Sequence, residues 1–175
     1  MVREILIWPD PTLKKKATAV SKVDDSIRQL VSDLFETMYS ADGVGLAAPQ
    51  IGVLKNIIVL DTSPRQPEAK PVAMINPVIL SLEGTTTYQE GCLSIPGEAE
   101  EVERAAVVTV KYLDPDGNEQ TLRAEGLLAI AIQHETDHLS GTMFVDHISS
   151  LKRELIKKRM KRLKAEREAE KSASA

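Results

Sequence analysis

Two histidines one helical turn apart, in the segment His134-Glu-Thr-Asp-His138, constrain this chain more than any other feature of its 175 residues. The i, i+4 spacing places both imidazoles on one face of a helix, where they can share a metal ion. The same face continues backwards through Leu127, Ile130 and Ala131, which predicts that the histidines face the protein interior. Because two buried imidazoles need polar partners, the segment predicts a central, metal-binding helix.

A catalytic metal site of this kind needs a third protein ligand, and the sequence offers several candidates. The metzincin pattern would place another histidine after the pair, but this chain has Phe144 at that position. Glu154 lies in a basic segment, and His147 follows the predicted helix end, where a surface position is favoured. Cys92 lies in Glu90-Gly-Cys-Leu-Ser94, next to a glycine that allows close backbone approach. A lone cysteine is usually only a small buried hydrophobe. Because the histidine pair still needs a third ligand, the residues favour Cys92, without excluding Glu154 and His147.

Hydrophobic periodicity and the positions of glycine and proline predict short strands framed by helices. Helices are predicted over residues 25–40, 125–139 and 149 to about 171, the first of them capped by Asp24 or Asp25. Strands are predicted over residues 57–60, 72–75, 78–82, from 85 onwards, 107–113 and 120–124, with a hairpin turn at 114–117. This pattern predicts an α+β fold, with antiparallel sheets packed around the central helix that carries the metal-binding motif and with a C-terminal helix.

Charge is divided unevenly along the chain. Residues 151–171 hold ten lysines or arginines and four glutamates, whereas the rest is acidic enough to make the net charge −4. A basic helix on an acidic body predicts contact with a polyanion, although a solvated helix packed on the body and a membrane-surface helix remain alternatives. We expect a single domain, with a catalytic metal-binding part in residues 1–150 and a basic C-terminal helix and tail in residues 151–175.

Composition excludes several classes of protein. With 42% hydrophobic and 27% charged residues the chain is globular rather than disordered, and it has no apolar run of about 18 residues that could span a membrane. The single cysteine cannot form an internal disulfide and fits a reducing compartment. The N-terminal segment lacks the pattern of a signal peptide. We therefore expect a cytoplasmic protein that does not associate with membranes.

Three segments resemble, in order, the motifs of the peptide deformylase family: Gly43-Val-Gly-Leu-Ala-Ala-Pro-Gln50, Glu90-Gly-Cys-Leu-Ser94 and Gln133-His-Glu-Thr-Asp-His138. The start Trp8-Pro-Asp-Pro-Thr-Leu and the turn at 114–117 also resemble the family, so the resemblance covers nearly the whole chain except about the last fifteen residues. It implies removal of the formyl group from the N-terminal formylmethionine of newly made polypeptides. A zinc peptidase and a translation-associated binding protein with a structural metal remain the alternative hypotheses.

The resemblance also implies a cofactor, a partner and site residues. The cofactor is one divalent metal ion, Fe(II) in the native enzyme with Zn(II) or Ni(II) able to replace it, and the partner of the basic helix is ribosomal RNA near the exit for nascent chains. The implied metal ligands are Cys92, His134 and His138, and the implied catalytic residues are Gln50, Leu93 and Glu135. The peptide is implied to bind as an added strand against Val44, Gly45 and Gly91, with its methionine side chain among Tyr88, Leu127, Ile130 and Ala131.

Three further positions in or near the cysteine segment matter for this resemblance. Glu90 and Arg104 resemble a pair that braces the cysteine segment, although a solvated surface pair is the alternative. Ala99 stands where some members of the family carry an arginine near the substrate, so that contact does not carry over to this chain.

Overall fold

The computed structural model describes residues 1–174 and contains three α-helices and seven β-strands in that range. The helices are α1 (Asp25–Ser40), α2 (Gly126–Leu139) and α3 (Ser150–Ser174). The strands are β1 (Gly45–Ala47), β2 (Ile57–Leu60), β3 (Val72–Glu83), β4 (Thr86–Cys92), β5 (Ile95–Arg104), β6 (Val107–Leu113) and β7 (Glu119–Glu125). Short 3-10 helices cover Pro11–Lys14, Ala48–Ile51 and Phe144–His147. The predicted α+β class is confirmed, and no helix in residues 1–174 is long and apolar enough to cross a bilayer.

A five-stranded antiparallel sheet in the order β1-β2-β3-β6-β7 lies between two helices. Alternate side chains of β2 point to opposite faces, because successive residues of a strand do so. Ile58 and Leu60 pack in the cluster that includes α2, whereas Ile57 and Val59 pack in the cluster that includes α1. The helix with the two histidines is therefore held against the sheet, and its other face is directed away from it.

The hairpin of β4 and β5 forms a second, separate sheet with its own core. Trp8, Ile95 and Phe144 share this core with two residues of the C-terminal helix, Ile156 and Met160, which are 1% and 3% exposed. An ion pair between Lys152 and Glu100 and another between Arg159 and Glu98 also join α3 to the hairpin. The C-terminal helix thus packs on the body as part of its hydrophobic core.

Strand β3 differs from the sequence prediction. Residues 72–75 and 78–82 were predicted as two pieces, but they belong to one strand with a register shift between Ile75 and Val78. At the shift, Asn76 has a φ of 53°, and its side chain hydrogen-bonds the backbone N–H and C=O of Val20 at 2.8 Å each. Pro77 has no N–H to donate to the ladder. The interruption is therefore a local bulge.

Two strands were not predicted at all. β1 lies in a stretch of small residues that shows no alternation, yet all three of its residues are buried between β2 and α2. β5 is rich in glutamate, and only three of its residues, Ile95, Val102 and Arg104, are buried. Both segments are strands because a neighbouring strand pairs with them, and local periodicity does not indicate this pairing. For α1, the cap is Asp24, whose side chain accepts a hydrogen bond from the Ile27 N–H at 3.1 Å.

Candidate active site

The C-terminal half of α2 and the end of β4 bring Cys92, His134 and His138 together. One potential ligand atom from each residue lies within 4.8 Å of the others. The sulfur Sγ of Cys92 lies 3.5 Å from Nε2 of His138. Both histidines are buried, and Cys92 is half-buried. The hairpin register shifts between Gly91 and Cys92, and the cysteine lies just before the turn at the hairpin end.

The environment of the two imidazoles fits a metal ion. Nδ1 of His134 lies 2.9 Å from Oε1 of Glu90, which leaves Nε2 of this ring for a metal. Burial, together with the neighbouring His134 and Arg104, holds the pKa of His138 well below its usual range, so this ring is the neutral form that metals bind. Burial opposes protonation of His134, but Glu135, Cys92 and Glu90 outweigh it and raise the pKa of this ring. Negative neighbours that favour a protonated ring also favour a metal cation at the same place.

A buried ion pair between Glu90 and Arg104 supports the candidate site. Nε of Arg104 donates to Oε2 of Glu90 at 2.6 Å, and Nη2 donates to Oε1 at 2.8 Å. Burial opposes ionisation of Glu90, but Arg104 and His134 prevail and lower the pKa of this carboxyl to about 2. Glu90 is therefore a carboxylate that can orient His134. Because both side chains are buried, the alternative of a solvated surface pair is wrong.

The other two candidates for a third ligand lie elsewhere. His147 is exposed, and its Nε2 lies 2.9 Å from Oδ2 of Asp137. The same carboxylate oxygen accepts a hydrogen bond from Nη1 of Arg104 at 2.7 Å. Glu154 is exposed on α3 beside Arg153. The sequence analysis did not consider Asp137 and considered His147 only as a candidate metal ligand. Both residues extend the network behind His134, but no local pattern relates them to Arg104.

Glu135 lies between the two histidines in sequence and is 4% exposed. Its Oε1 has no hydrogen-bond partner in residues 1–174 and lies 3.9 Å from Nε2 of His138. Burial raises the pKa of Glu135 to about 7. Gly45 provides the space for this carboxylate, because a Cβ at that position would lie 2.5 Å from Oε2 of Glu135. The site thus contains a buried carboxyl group able to take up or release a proton near neutral pH.

Gln50 reaches the same site from the 3-10 helix that follows β1. Its Oε1 accepts a hydrogen bond from the Ala47 N–H at 2.9 Å, which orients the amide. Its Nε2 donates to Oγ of Ser94 at 3.1 Å and lies 3.6 Å from Sγ of Cys92. Leu93 lies in the turn between β4 and β5. Ser94 was not predicted as a site residue, although it belongs to the motif that contains Cys92.

An open groove of about 1050 Å³ leads to these residues. All predicted substrate-binding residues line it: Val44, Gly45, Tyr88, Gly91, Leu127, Ile130 and Ala131. Gln50, Cys92, Leu93, His134 and Glu135 also line it. His138 lies beneath this surface and is 1% exposed. Apolar side chains of α2 thus lie beside the candidate catalytic residues in this groove.

Comparisons with known proteins agree on one family. The family model for polypeptide deformylase matches residues 2–154. A peptide deformylase of Rhizobium meliloti (strain 1021) is 50% identical over 159 residues, covering 90% of this chain and 91% of the relative. The crystal structure of a peptide deformylase from Legionella pneumophila has a TM-score of 0.89 at 43% identity and covers 95% of this chain and 98% of that chain. A peptide deformylase from Ehrlichia chaffeensis in complex with actinonin has a TM-score of 0.89 at 41% identity and covers 92% of this chain and 96% of that chain.

Proposed function

The chain belongs to the polypeptide deformylase family, enzymes that remove the formyl group from N-terminal formylmethionine, and on that premise we propose which of its residues perform the reaction. The observation that carries the proposal is the cluster of Cys92, His134 and His138 beside the buried carboxyl of Glu135, on an open groove. Because the family match covers this whole cluster, the zinc peptidase and the binding protein with a structural metal are no longer needed as explanations.

Cys92, His134 and His138 are the residues that would hold the divalent metal ion on which the family depends. One thiolate and two imidazoles suit Fe(II), Zn(II) and Ni(II), and we propose Fe(II) as the native ion. When bound, such an ion supplies Lewis-acid chemistry, since it polarises a carbonyl oxygen and lowers the pKa of water to about 7. Three protein ligands are typical of a catalytic rather than a structural site.

Glu135 acts as the general base and then as the general acid. Its carboxylate takes a proton from the attacking water, and the resulting carboxylic acid delivers that proton to the departing amine of methionine. Burial raises the pKa of Glu135 and keeps its carboxyl away from bulk water, so the proton that it takes up can pass directly to the amine. The absence of a competing hydrogen bond to Oε1, within residues 1–174, leaves that oxygen available for the water.

Gln50 and Leu93 stabilise the negative charge that develops on the formyl oxygen. The side-chain amide of Gln50 and the backbone N–H of Leu93 are the proposed donors. The Gln50 amide is held by Ala47 and Ser94 before the substrate arrives, so little reorganisation is needed during the reaction. One such preorganised donor is typically worth about 3 kcal/mol of transition-state stabilisation.

The nascent polypeptide binds as an added strand. Its backbone lies against Val44, Gly45 and Gly91, where two glycines allow a second chain to approach closely. The methionine side chain then lies among Tyr88, Leu127, Ile130 and Ala131, which all line the groove.

Formate release from formylated peptides tests this function. We expect protein purified without oxygen and loaded with Fe(II) to release formate from formyl-Met-Ala-Ser and to leave the Met-Ala bond intact. Air should inactivate the iron form, because an Fe(II)–thiolate centre is readily oxidised, whereas the Ni(II) form should survive. Formate is measured enzymatically and peptide products by mass spectrometry. Cleavage of Met-Ala-Ser, with no formate released, would contradict the proposed function.

The C-terminal helix is the proposed contact with the ribosome, which would place the enzyme in the cytoplasm. Ile156 and Met160 attach α3 to the core of the body, which supports residues 1–150 and 151–175 as parts of one domain. The exposed side chains of α3 include Lys158, Lys161 and Arg162, which can each neutralise a phosphate of ribosomal RNA.

Charge removal tests this contact better than truncation, because a cut at residue 150 would also remove two core side chains. We expect the triple variant Lys158→Gln, Lys161→Gln, Arg162→Gln to bind ribosomes more weakly and to reduce the slope of log affinity against log salt by about two to three. Sedimentation with ribosomes between about 50 and 200 mM salt measures both quantities. The control is Lys14→Gln, Lys15→Gln, Lys16→Gln, an equal charge change at exposed residues elsewhere. Equal weakening of ribosome binding in both variants would mean that α3 is a solvated basic helix that makes no specific contact with the ribosome.

A further inference from the structure

We propose that Arg65 is a specificity-determining residue that favours an acidic side chain at the third position of the formylated polypeptide. This inference rests on the proposed function, because it takes the path of the peptide strand from it. Arg65 lies in the loop between β2 and β3 and lines the same groove as the candidate catalytic residues. Its Nη1 donates a hydrogen bond to the hydroxyl of Tyr88 at 2.9 Å.

The loop places Arg65 at the groove through its attachment to α2. The next residue, Gln66, accepts a hydrogen bond from the Leu128 N–H at 3.0 Å and donates one to the Glu125 C=O at 3.1 Å. The Arg65 N–H itself donates to the C=O of Thr62, which is fully buried, at 2.9 Å. These bonds hold the backbone of Arg65 against Thr62 and tie the side-chain amide of Gln66 to the start of α2, so the Arg65 side chain extends from a supported position.

The charge of Arg65 is not neutralised by any carboxylate in the part of the chain that the structure describes. No carboxylate in residues 1–174 forms an ion pair with its guanidinium, and its side-chain partner is the neutral phenol of Tyr88. Two other basic residues that line the groove are already paired, Arg3 with Asp33 and Lys171 with Glu4. A guanidinium keeps several donors free when one is used, so Arg65 can bind a carboxylate while it remains on Tyr88.

The alternation of a bound strand identifies which residue of the polypeptide meets Arg65. Residues one and three of an extended strand point to the same face and lie roughly 7 Å apart. If the methionine side chain lies against the ring of Tyr88, the third side chain follows on the same face, beside the phenol and Arg65. The second side chain points away from this face.

Paired peptides with amidated C-termini test the proposal. We expect kcat/KM for formyl-Met-Ala-Glu-Ser-amide to exceed that for formyl-Met-Ala-Gln-Ser-amide about two- to fivefold, the range of an exposed ion pair. The difference should lie in KM, because the contact forms before the reaction, and should shrink at high salt. Formyl-Met-Glu-Ala-Ser-amide should show no such preference over its glutamine counterpart. Arg65→Gln should bring the ratio at position three to about one, and Arg65→Lys should retain part of it.

Two matched variants distinguish the contribution of Arg65 from a general effect of positive charge. Arg167→Gln removes an arginine that lines the groove from α3, and Arg123→Gln removes one outside the groove. Both should keep the preference for glutamate. Equal kcat/KM for the two peptides, a preference that survives in Arg65→Gln, or its loss in either control would overturn the assignment. Formate release from both peptides at equal rates would leave the proposed function intact, whereas no release from any peptide would contradict that function instead.

Discussion

Replacing Glu135 by glutamine is expected to slow formate release by about 10²- to 10⁴-fold while the bound metal remains at the wild-type level. The amide has nearly the size of the carboxylate, so the fold and the three candidate ligands should persist. It cannot, however, accept the proton of the attacking water. The loss should appear in kcat, because proton transfer takes place only in the transition state.

The position of Glu135 is the reason for expecting so large an effect. Its side chain is buried beside His138, and Gly45 leaves room for it without a competing contact. Among residues 1–174, Glu90 is the only other buried carboxyl group that lines the groove, and it is engaged by Arg104 and His134. A substitute base is therefore not available at the site.

Steady-state kinetics with a formyl-Met peptide, together with metal analysis of the same preparation, measures this prediction. Glu154→Gln is a suitable control, since it makes the same chemical change at an exposed position on α3 and should leave turnover unchanged. If Glu135→Gln retained more than about a tenth of wild-type turnover, Glu135 could not be the general base.

Replacing Cys92 by alanine is expected to produce a folded protein that holds little metal after dialysis and releases no measurable formate. Two histidines alone form a weak site, because the thiolate contributes both a ligand and a negative charge. The helix and the sheet do not depend on this side chain, since Cys92 is half-buried at the end of β4. The far-UV circular dichroism spectrum should therefore remain that of the wild type.

Metal content per chain after dialysis against a weak chelator is the decisive measurement. Thr87→Ala changes an exposed residue of the same strand and should bind metal normally. Stoichiometric metal in dialysed Cys92→Ala would mean that Cys92 is not a ligand. The Glu135 and Cys92 variants together separate the two roles, because one should lose turnover with the metal bound and the other should lose the metal itself.

Local spacing determined the parts of this protein that the sequence predicts well. The i, i+4 relation of His134 and His138 is a property of any α-helix, so the pair could be located before the fold was known. Helix α1 has clear 3.6-residue periodicity, and residues 57–60 form a continuous apolar run. The motif around Cys92 indicated a third ligand, and the structure brings that side chain within reach of both histidines.

Contacts between distant residues were decided only by the tertiary structure. β5 carries too many glutamates to show a strand pattern, and it is a strand because β4 pairs with it. Asp137 and His147 join the network behind His134 only because β5 places Arg104 against α2. Arg104 and Asp137 are 33 residues apart in sequence, and helix or strand periodicity relates only residues that are close in sequence.

The same distinction applies to the groove and to the C-terminal helix. Composition shows that residues 151–171 are basic, but only the packing of Ile156 and Met160 beside Trp8 shows that the helix belongs to the core. Likewise, nothing in the sequence relates Arg65 to Tyr88, which lie 23 residues apart and hydrogen-bond at the edge of the groove. Helical spacing is a short-range property that each segment has by itself. The residues that line a groove are instead determined by how sheets and loops pack, which depends on the whole chain.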